Sequence, residues 1–275
     1  MMLDQAQRAV GRELAGIRRL GVAYSGGVDS AVLLALAARL LGRDQVMGIL
    51  GVSPSLAPDE RAGAHQVARL IGVPVVEIET HEGDNPGYVA NGPDRCFHCK
   101  DELFTRIGDE VVAAHRLDAV AYGENADDVR RLDRPGSRAA TTHHVLRPLA
   151  AAQLTKADVR AVARQLGLPC ADKPAAPCLA SRIPHHSEVT PTKLAQIAQA
   201  ERVLRELGFG DGRVRHHGDI ARVELEPADL ARAAAPGLRE RLRTGIAAAG
   251  FRYVTLDLAG IQSGAFTLSV LSADD

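Results

Sequence analysis

Ser25-Gly26-Gly27-Val28-Asp29-Ser30 gathers two glycines, two hydroxyls and a carboxylate in six residues. Adjacent glycines let backbone N–H groups approach an anion with no Cβ in the way. The apolar run 20–24 before them reads as a buried strand, and 29–41 after them reads as a helix. The hexapeptide is therefore a strand-to-helix turn, and the free N–H groups and positive dipole end of that helix face the same anion. Ser25 and Ser30 add hydroxyl donors. No lysine lies in the loop, unlike the pattern GxxxxGK[ST], which disfavours kinase-like phosphoryl transfer.

The second group of reactive side chains is sulfur: Cys96, Cys99, Cys170 and Cys178. A reducing compartment makes structural disulfides an unfavourable reading. Cys96-Phe97-His98-Cys99 is a CxxC pair, which can be a redox couple, half of a metal site, or incidental. Zinc would need two more ligands, and Cys170, Cys178 and several histidines are available. Cys178 stands in Pro177-Cys178-Leu179-Ala180-Ser181-Arg182-Ile183-Pro184, with Lys173, Arg182, His185 and His186 close in sequence. Neighbouring cations lower a thiol pKa and favour the nucleophilic thiolate. Cys170 follows a helix and reads as an ordinary small residue.

Polar residues at other loops could complete a nucleotide site. Asn125, Asp127 and Asp128 follow the apolar run 117–122, and carboxylates there could hold Mg²⁺ or reach a ribose. Arg134 and Arg138 flank the turn Pro135-Gly136 and could reach phosphate. Arg213 and Arg215 alternate on a strand and so share a face. Two guanidiniums on one face suit a phosphate, with plain solvent exposure as the alternative. The histidine pairs 143/144, 185/186 and 216/217 could bind metal adventitiously, but read more simply as polar loop residues.

The elements that must position these residues alternate. Helices are expected over 3–19, 29–41, 59–71, 103–115 and 155–166. Strands are expected over 20–24, 46–52, 74–80 and 117–122, with a short fifth at 145–149. This order implies an α/β parallel sheet, whose ligands bind at the carboxyl ends of the strands. Residues 172–187 are rich in Pro, Ala and His, and beyond them helices (191–207, 228–247) and strands (213–217, 221–225, 253–258) form a small α+β appendage. The chain of 275 residues has a net charge of −1, which gives no basic field for nucleic acid. Lysine occurs only as Lys100, Lys156, Lys173 and Lys193, so arginine carries most of the positive charge. No apolar run approaches the roughly 18 residues of a membrane span. The first 20 residues mix charges into a helical pattern and do not read as a signal peptide. A cytoplasmic protein is expected.

The hexapeptide resembles the pyrophosphate-binding loop of the PP-loop ATPases, which cleave ATP between the α and β phosphates and usually adenylate a carbonyl or carboxylate. Further segments widen the likeness: Arg95-Cys96-Phe97-His98-Cys99-Lys100, Gly123-Glu124-Asn125-Ala126-Asp127-Asp128, Arg134-Pro135-Gly136, Arg147-Pro148-Leu149, Pro177 to Pro184, Arg213-Val214-Arg215-His216-His217-Gly218 and Ala221-Arg222-Val223-Glu224. In that order, over roughly residues 20–225, they resemble the LarE family of ATP-dependent sulfur transferases. The resemblance implies a Rossmann-like PP-loop domain over 1–183 and a substrate-binding, oligomer-forming α+β domain over 184–275. It implies ATP and Mg²⁺, and a pyridinium-3,5-biscarboxylic acid mononucleotide whose carboxylate becomes a thiocarboxylate for the enzymes of the nickel-pincer nucleotide pathway. Ser25, Gly26, Gly27, Val28, Asp29, Ser30, Gly123, Asn125, Asp127 and Arg134 would bind nucleotide, with Arg213 and Arg215 gripping the substrate phosphate. Cys178 would attack the adenylate, and Glu201 resembles an acidic family position near substrate and metal.

Two sulfur sources are implied. Either Cys178 is sacrificed, leaving dehydroalanine, or Cys96, Cys99 and Cys178 hold a 4Fe–4S cluster whose open iron carries a transferable sulfide. The cluster form is the expectation, and zinc the minor alternative. A homo-oligomer is also implied. The rival readings are a tRNA thiolase, an amide-forming synthetase using ammonia, and a nucleotide sensor without chemistry.

Overall fold

The computed structural model describes residues 2–129, 136–174 and 177–261. Four strands, β1 (Leu20–Ala23), β2 (Val46–Val52), β3 (Val75–Glu79) and β4 (Ala119–Tyr122), form a parallel sheet in the order β3-β2-β1-β4. β1 lies between β2 and β4, pairing Ala23 with Ile49 on one side and with Tyr122 on the other. Its position inside the sheet explains why Leu20 and Val22 are fully buried. The helix Val28–Leu41 presents ten buried residues, nearly all of them aliphatic. Gly42 and Gly72 end the helices Val28–Leu41 and Pro58–Ile71 at positive φ, as their places in the sequence predict.

Two expected elements differ. The strand expected at 145–149 is a single parallel bridge between Ala121 and Leu146, because Pro148 opens the short helix Pro148–Ala151. The helix expected at 103–115 begins earlier, as Arg95–Arg106, and continues through a π turn at Ile107–Val112. Cys96 and Cys99 therefore stand in the first two turns of a helix.

The chain divides into two compact units, Met1–Glu82 with Asp94–Ala176, and Gly83–Pro93 with Pro177–Asp275. The division precedes the expected 183/184 boundary, so Cys178 belongs to the second unit. That unit also takes in a short early segment, and Asn91 accounts for its attachment. Asn91 is fully buried, and its amide donates to the carbonyls of Ile183, Pro184 and Ser187 at 3.2, 2.7 and 2.9 Å. The Val189 N–H also donates to Val89 O at 2.9 Å.

Within the second unit, β5 (Gly212–His217), β6 (Ile220–Leu225) and β7 (Tyr253–Leu256) form a sheet in that order. β5 and β6 are antiparallel, whereas β6 and β7 are parallel. Ala200 and Leu204 from one helix and Ile246 from another join Val214, Val223 and Phe209 in a single apolar core. Among the described residues no helix is long and apolar enough to cross a membrane.

Candidate active site

The glycine-rich loop leaves the carboxyl end of β1. Gly26 has φ +74°, and a Cβ there would stand 2.7 Å from Ala64 Cα, so both conformation and space demand glycine. Gly27 caps the helix Val28–Leu41 in extended backbone, and its carbonyl accepts the Ala31 N–H at 2.9 Å and the Ser30 hydroxyl at 3.1 Å. Ser30 Oγ in turn accepts the Ser25 N–H at 3.3 Å. The loop is thus braced from inside, while the first N–H groups of its helix have no intrahelical acceptor. These are the donors an anion would use.

A polar cluster closes on this loop from the neighbouring strand. Gly123, after β4, packs so tightly that a Cβ would lie 2.6 Å from Ser30 N. Asn125 is buried and holds two carboxylates apart, its amide donating to Asp29 Oδ1 at 3.1 Å and to Asp128 Oδ2 at 2.8 Å. Its oxygen accepts the N–H groups of Asp127 and Asp128 at 3.0 and 3.1 Å. Sequence reasoning missed Lys156 as a site residue. Its ammonium pairs with Asp29, and its backbone N–H donates to Asp127 Oδ2 at 2.8 Å. The available signal was the capping box Thr155–Asp158, which fixes Lys156 at the start of the helix Lys156–Gln165. Arg134 lies outside the described residues. Arg138 is half exposed, 3.4 Å from Asp94 and stacked 4.1 Å above the Phe97 ring.

The four thiols differ sharply. None is in a disulfide; Cys96 and Cys178 are exposed, Cys99 is half-buried and Cys170 is buried. Burial pushes the Cys170 thiol up from its ordinary pKa, more than the nearby Lys173 charge lowers it. Alkylation by iodoacetamide at pH 8, followed by peptide mass spectrometry, is expected to label Cys96 and Cys178 at least about tenfold faster than Cys170, because only the thiolate reacts. Among the described residues, no three His, Cys, Asp or Glu side chains form a group that could hold a metal ion.

Cys178 caps the short turn Leu179–Arg182, and its carbonyl accepts the Ser181 N–H at 2.9 Å. Arg182, one of the cations close to Cys178 in sequence, turns its charge to other partners. It is buried, and its guanidinium reaches the Pro177 carbonyl at 2.7 Å and the two Glu201 oxygens at 2.8 and 3.2 Å. Glu201 Oε1 also accepts the Val214 N–H at 3.1 Å. A buried carboxylate requires a cation and donors, and for Glu201 Arg182 and the Val214 N–H supply them in this structure.

Arg213 and Arg215 share a face of β5, as the alternation predicts, but both are buried rather than solvent-exposed. Arg215 pairs with the fully buried Glu224 at 2.8 Å and donates to the Ser181 carbonyl at 3.0 Å. The loop carrying Cys178 is thus held by Arg182, Arg215 and Asn91. Burial lowers the Arg213 pKa, and the charges of Arg182 and Arg215 push the same way.

An open parallel sheet with this loop at the end of β1 makes the first unit a PP-loop, ATP-utilising domain. A family profile described as asparagine synthase matches residues 2–104. The chain is 42% identical over 243 residues to an uncharacterized protein of Synechocystis sp., spanning 88% of this chain and 90% of that protein. It is 35% identical over 251 residues to the pyridinium-3,5-bisthiocarboxylic acid mononucleotide synthase of Lactiplantibacillus plantarum, spanning 91% and 90%. A likeness of 33% over 193 residues to the tRNA-specific 2-thiouridylase MnmA of Xanthobacter autotrophicus spans 57% and 49%. The chain belongs to the LarE family and is an ATP-dependent sulfur transferase.

Proposed function

We propose that the enzyme converts a carboxylate of pyridinium-3,5-biscarboxylic acid mononucleotide to a thiocarboxylate, for synthesis of the nickel-pincer nucleotide cofactor. The observation that carries this reading is the exposed Cys178 on a loop clamped by three buried side chains, in a chain matching nine-tenths of the named synthase. A substrate carboxylate oxygen attacks the α-phosphorus of ATP, and pyrophosphate leaves. The N–H groups at the start of the helix Val28–Leu41 and the Lys156 ammonium stabilise the leaving charge. Asp29 and Asp128, joined through Asn125, are the oxygen donors suited to Mg²⁺, which would neutralise phosphate charge when bound. The Cys178 thiolate then attacks the adenylated carbonyl and AMP departs, leaving a thioester. Removal of the Cys178 α-proton by a base sends its electron pair into a Cα–Cβ double bond as the Cβ–S bond breaks. The sulfur stays on the substrate and dehydroalanine stays on the protein. Arg213 is the proposed grip on the mononucleotide phosphate, and the second unit is the proposed substrate-binding and oligomer-forming part.

As a finer reading, we propose that Cys96, Cys99 and Cys178 hold a 4Fe–4S cluster in the catalytic form. Its support is donor chemistry: outside the buried Cys170 there are three cysteines that form no disulfide, and thiolates are the ligands such clusters take, although they form no converged group among the described residues. No step above depends on it. Mass spectrometry after reaction separates the two sulfur sources: loss of one H₂S from Cys178 means sacrifice, and an intact chain that turns over means another source. Anaerobic reconstitution with iron and sulfide should give absorbance near about 400 nm, and its absence would remove the cluster reading. Formation of AMP, pyrophosphate and thiocarboxylate from the pyridinium substrate tests the whole proposal. Thiolation of tRNA without use of that substrate would favour the 2-thiouridylase likeness. Lys156→Met is expected to lower pyrophosphate release about 10- to 100-fold while leaving Cys178 alkylation unchanged, read in a coupled phosphate assay.

A further inference from the structure

Glu82 carries a hydrogen-bonding capacity that the site above does not use. It follows β3, is 3% exposed, and its Oε1 accepts the hydroxyls of Ser53 at 2.5 Å and Ser55 at 2.7 Å. The two hydroxyl oxygens are 2.8 Å apart, yet each serine has one hydrogen, and both are used on Oε1. Glu82 Oε2 is buried with no hydrogen-bond partner among the described residues. Buried carboxylate oxygens are rarely left without a donor, because the lost hydration is not replaced.

The location narrows what that donor is. Ser53 directly follows β2, and the Thr80 N–H donates to Val52 O at 3.0 Å, so Ser53, Ser55 and Glu82 gather at the carboxyl edge of β2 and β3. β2 is the neighbour of β1, and the Tyr24 N–H donates to Ile49 O at 2.8 Å just before the glycine-rich loop begins. Loop and carboxylate thus share one edge of one sheet. On the other flank of β1 the space is filled: Gly123 abuts Ser30, and Asn125 and Lys156 close on Asp29. A nucleoside attached to phosphates in the loop has the β2 side left to it. Open parallel sheets bind ligands at this edge, and an acidic side chain commonly accepts a nucleoside donor there.

We propose that Glu82, held by Ser53 and Ser55, accepts a hydrogen bond from the nucleoside half of ATP and so helps to set which nucleotide the enzyme takes. The proposal rests on the ATP-dependent reading above. The donor is either the purine 6-amine or a ribose hydroxyl, and analogues separate the two.

The test is equilibrium binding to the full chain with Mg²⁺, using ATP, purine riboside triphosphate, 2′-deoxy-ATP and 3′-deoxy-ATP. The parent is expected to bind one of the analogues about 10- to 100-fold more weakly than ATP. Glu82→Gln is expected to lose that factor for ATP but to bind the weak analogue as the parent does, so that the two losses do not add. Ser55→Ala, which loosens the carboxylate without removing it, gives the same selective loss at smaller size and serves if Glu82→Gln fails to fold. Equal binding of all four nucleotides by the parent overturns the proposal. So does an equal loss for every nucleotide in Glu82→Gln, or a loss confined to the pyridinium substrate. A parent that binds no adenine nucleotide at all overturns the ATP-dependent reading beneath it, which is a separate result.

Discussion

Cys178→Ser is expected to abolish sulfur transfer, by about 10³-fold or more, while leaving AMP and pyrophosphate formation within a few-fold of the parent. The separation follows from what holds the loop. Arg182 anchors it to Glu201 and the Pro177 carbonyl, Arg215 to the Ser181 carbonyl, and Asn91 to three later carbonyls. None of these bonds uses the Cys178 sulfur, and the residue is exposed, so serine fits without moving the backbone. In the proposed mechanism Cys178 acts only after the adenylate has formed, so adenylation should survive. A serine hydroxyl is a far weaker nucleophile at neutral pH, and any ester it formed would deliver oxygen rather than sulfur. Quantifying thiocarboxylate by mass spectrometry beside a pyrophosphate assay reads both halves. Loss of both activities together would mean that Cys178 serves nucleotide binding or folding instead. Cys96→Ala adds a second reading: single-turnover transfer unchanged supports Cys178 as the donor, and transfer abolished with adenylation intact supports the cluster.

The parts of this site that could be read from sequence are those carried by contiguous patterns. The run 20–24, the paired glycines and the helix after them specify a strand, a turn and an anion-facing helix end, and β1, Gly26 and the helix Val28–Leu41 follow that reading. The alternation of Arg213 and Arg215 correctly gave a shared face. Burial was another matter, since it depends on β6 supplying the buried Glu224 beside them. Glu201 shows the same limit: its acidic character was visible, but not that Arg182 and the Val214 N–H would occupy its oxygens. Lys156 meets Asp29 across 127 residues of sequence, and Asn91 meets Pro184 across 93. No local periodicity encodes such pairs; only the closed fold brings them together. The expected strand at 145–149 failed for a local reason that could have been weighed, because Pro148 has no N–H for a ladder and suits the first turn of a helix.

Gly123→Ala is expected to lower pyrophosphate release by about 10²-fold or more, the loss typical of a reacting group displaced by an ångström. The added Cβ would lie 2.6 Å from Ser30 N, 2.7 Å from the Asp29 carbonyl carbon and 2.8 Å from Ser30 Cα. All three are backbone atoms of the loop and helix start, so no side chain can swing away to relieve the contact. β4 cannot retreat easily either, since Tyr122 is in register with Ala23 of β1 and its N–H donates to Leu146 O at 3.0 Å. The compliant part is the loop itself, and moving Asp29 also strains its contacts with Asn125 and Lys156. Gly63→Ala is the control. It lies in the helix Pro58–Ile71 with nothing within 4 Å of its added Cβ, so it should leave activity unchanged and raise stability by up to about 1 kcal/mol through helix propensity. If Gly123→Ala folds with the parent's Tm and releases pyrophosphate at the parent's rate, the packing of β4 against the glycine-rich loop does not control the chemistry. If it folds normally but loses ATP binding and pyrophosphate release together, the position of Ser30 and Asp29 is what that chemistry depends on.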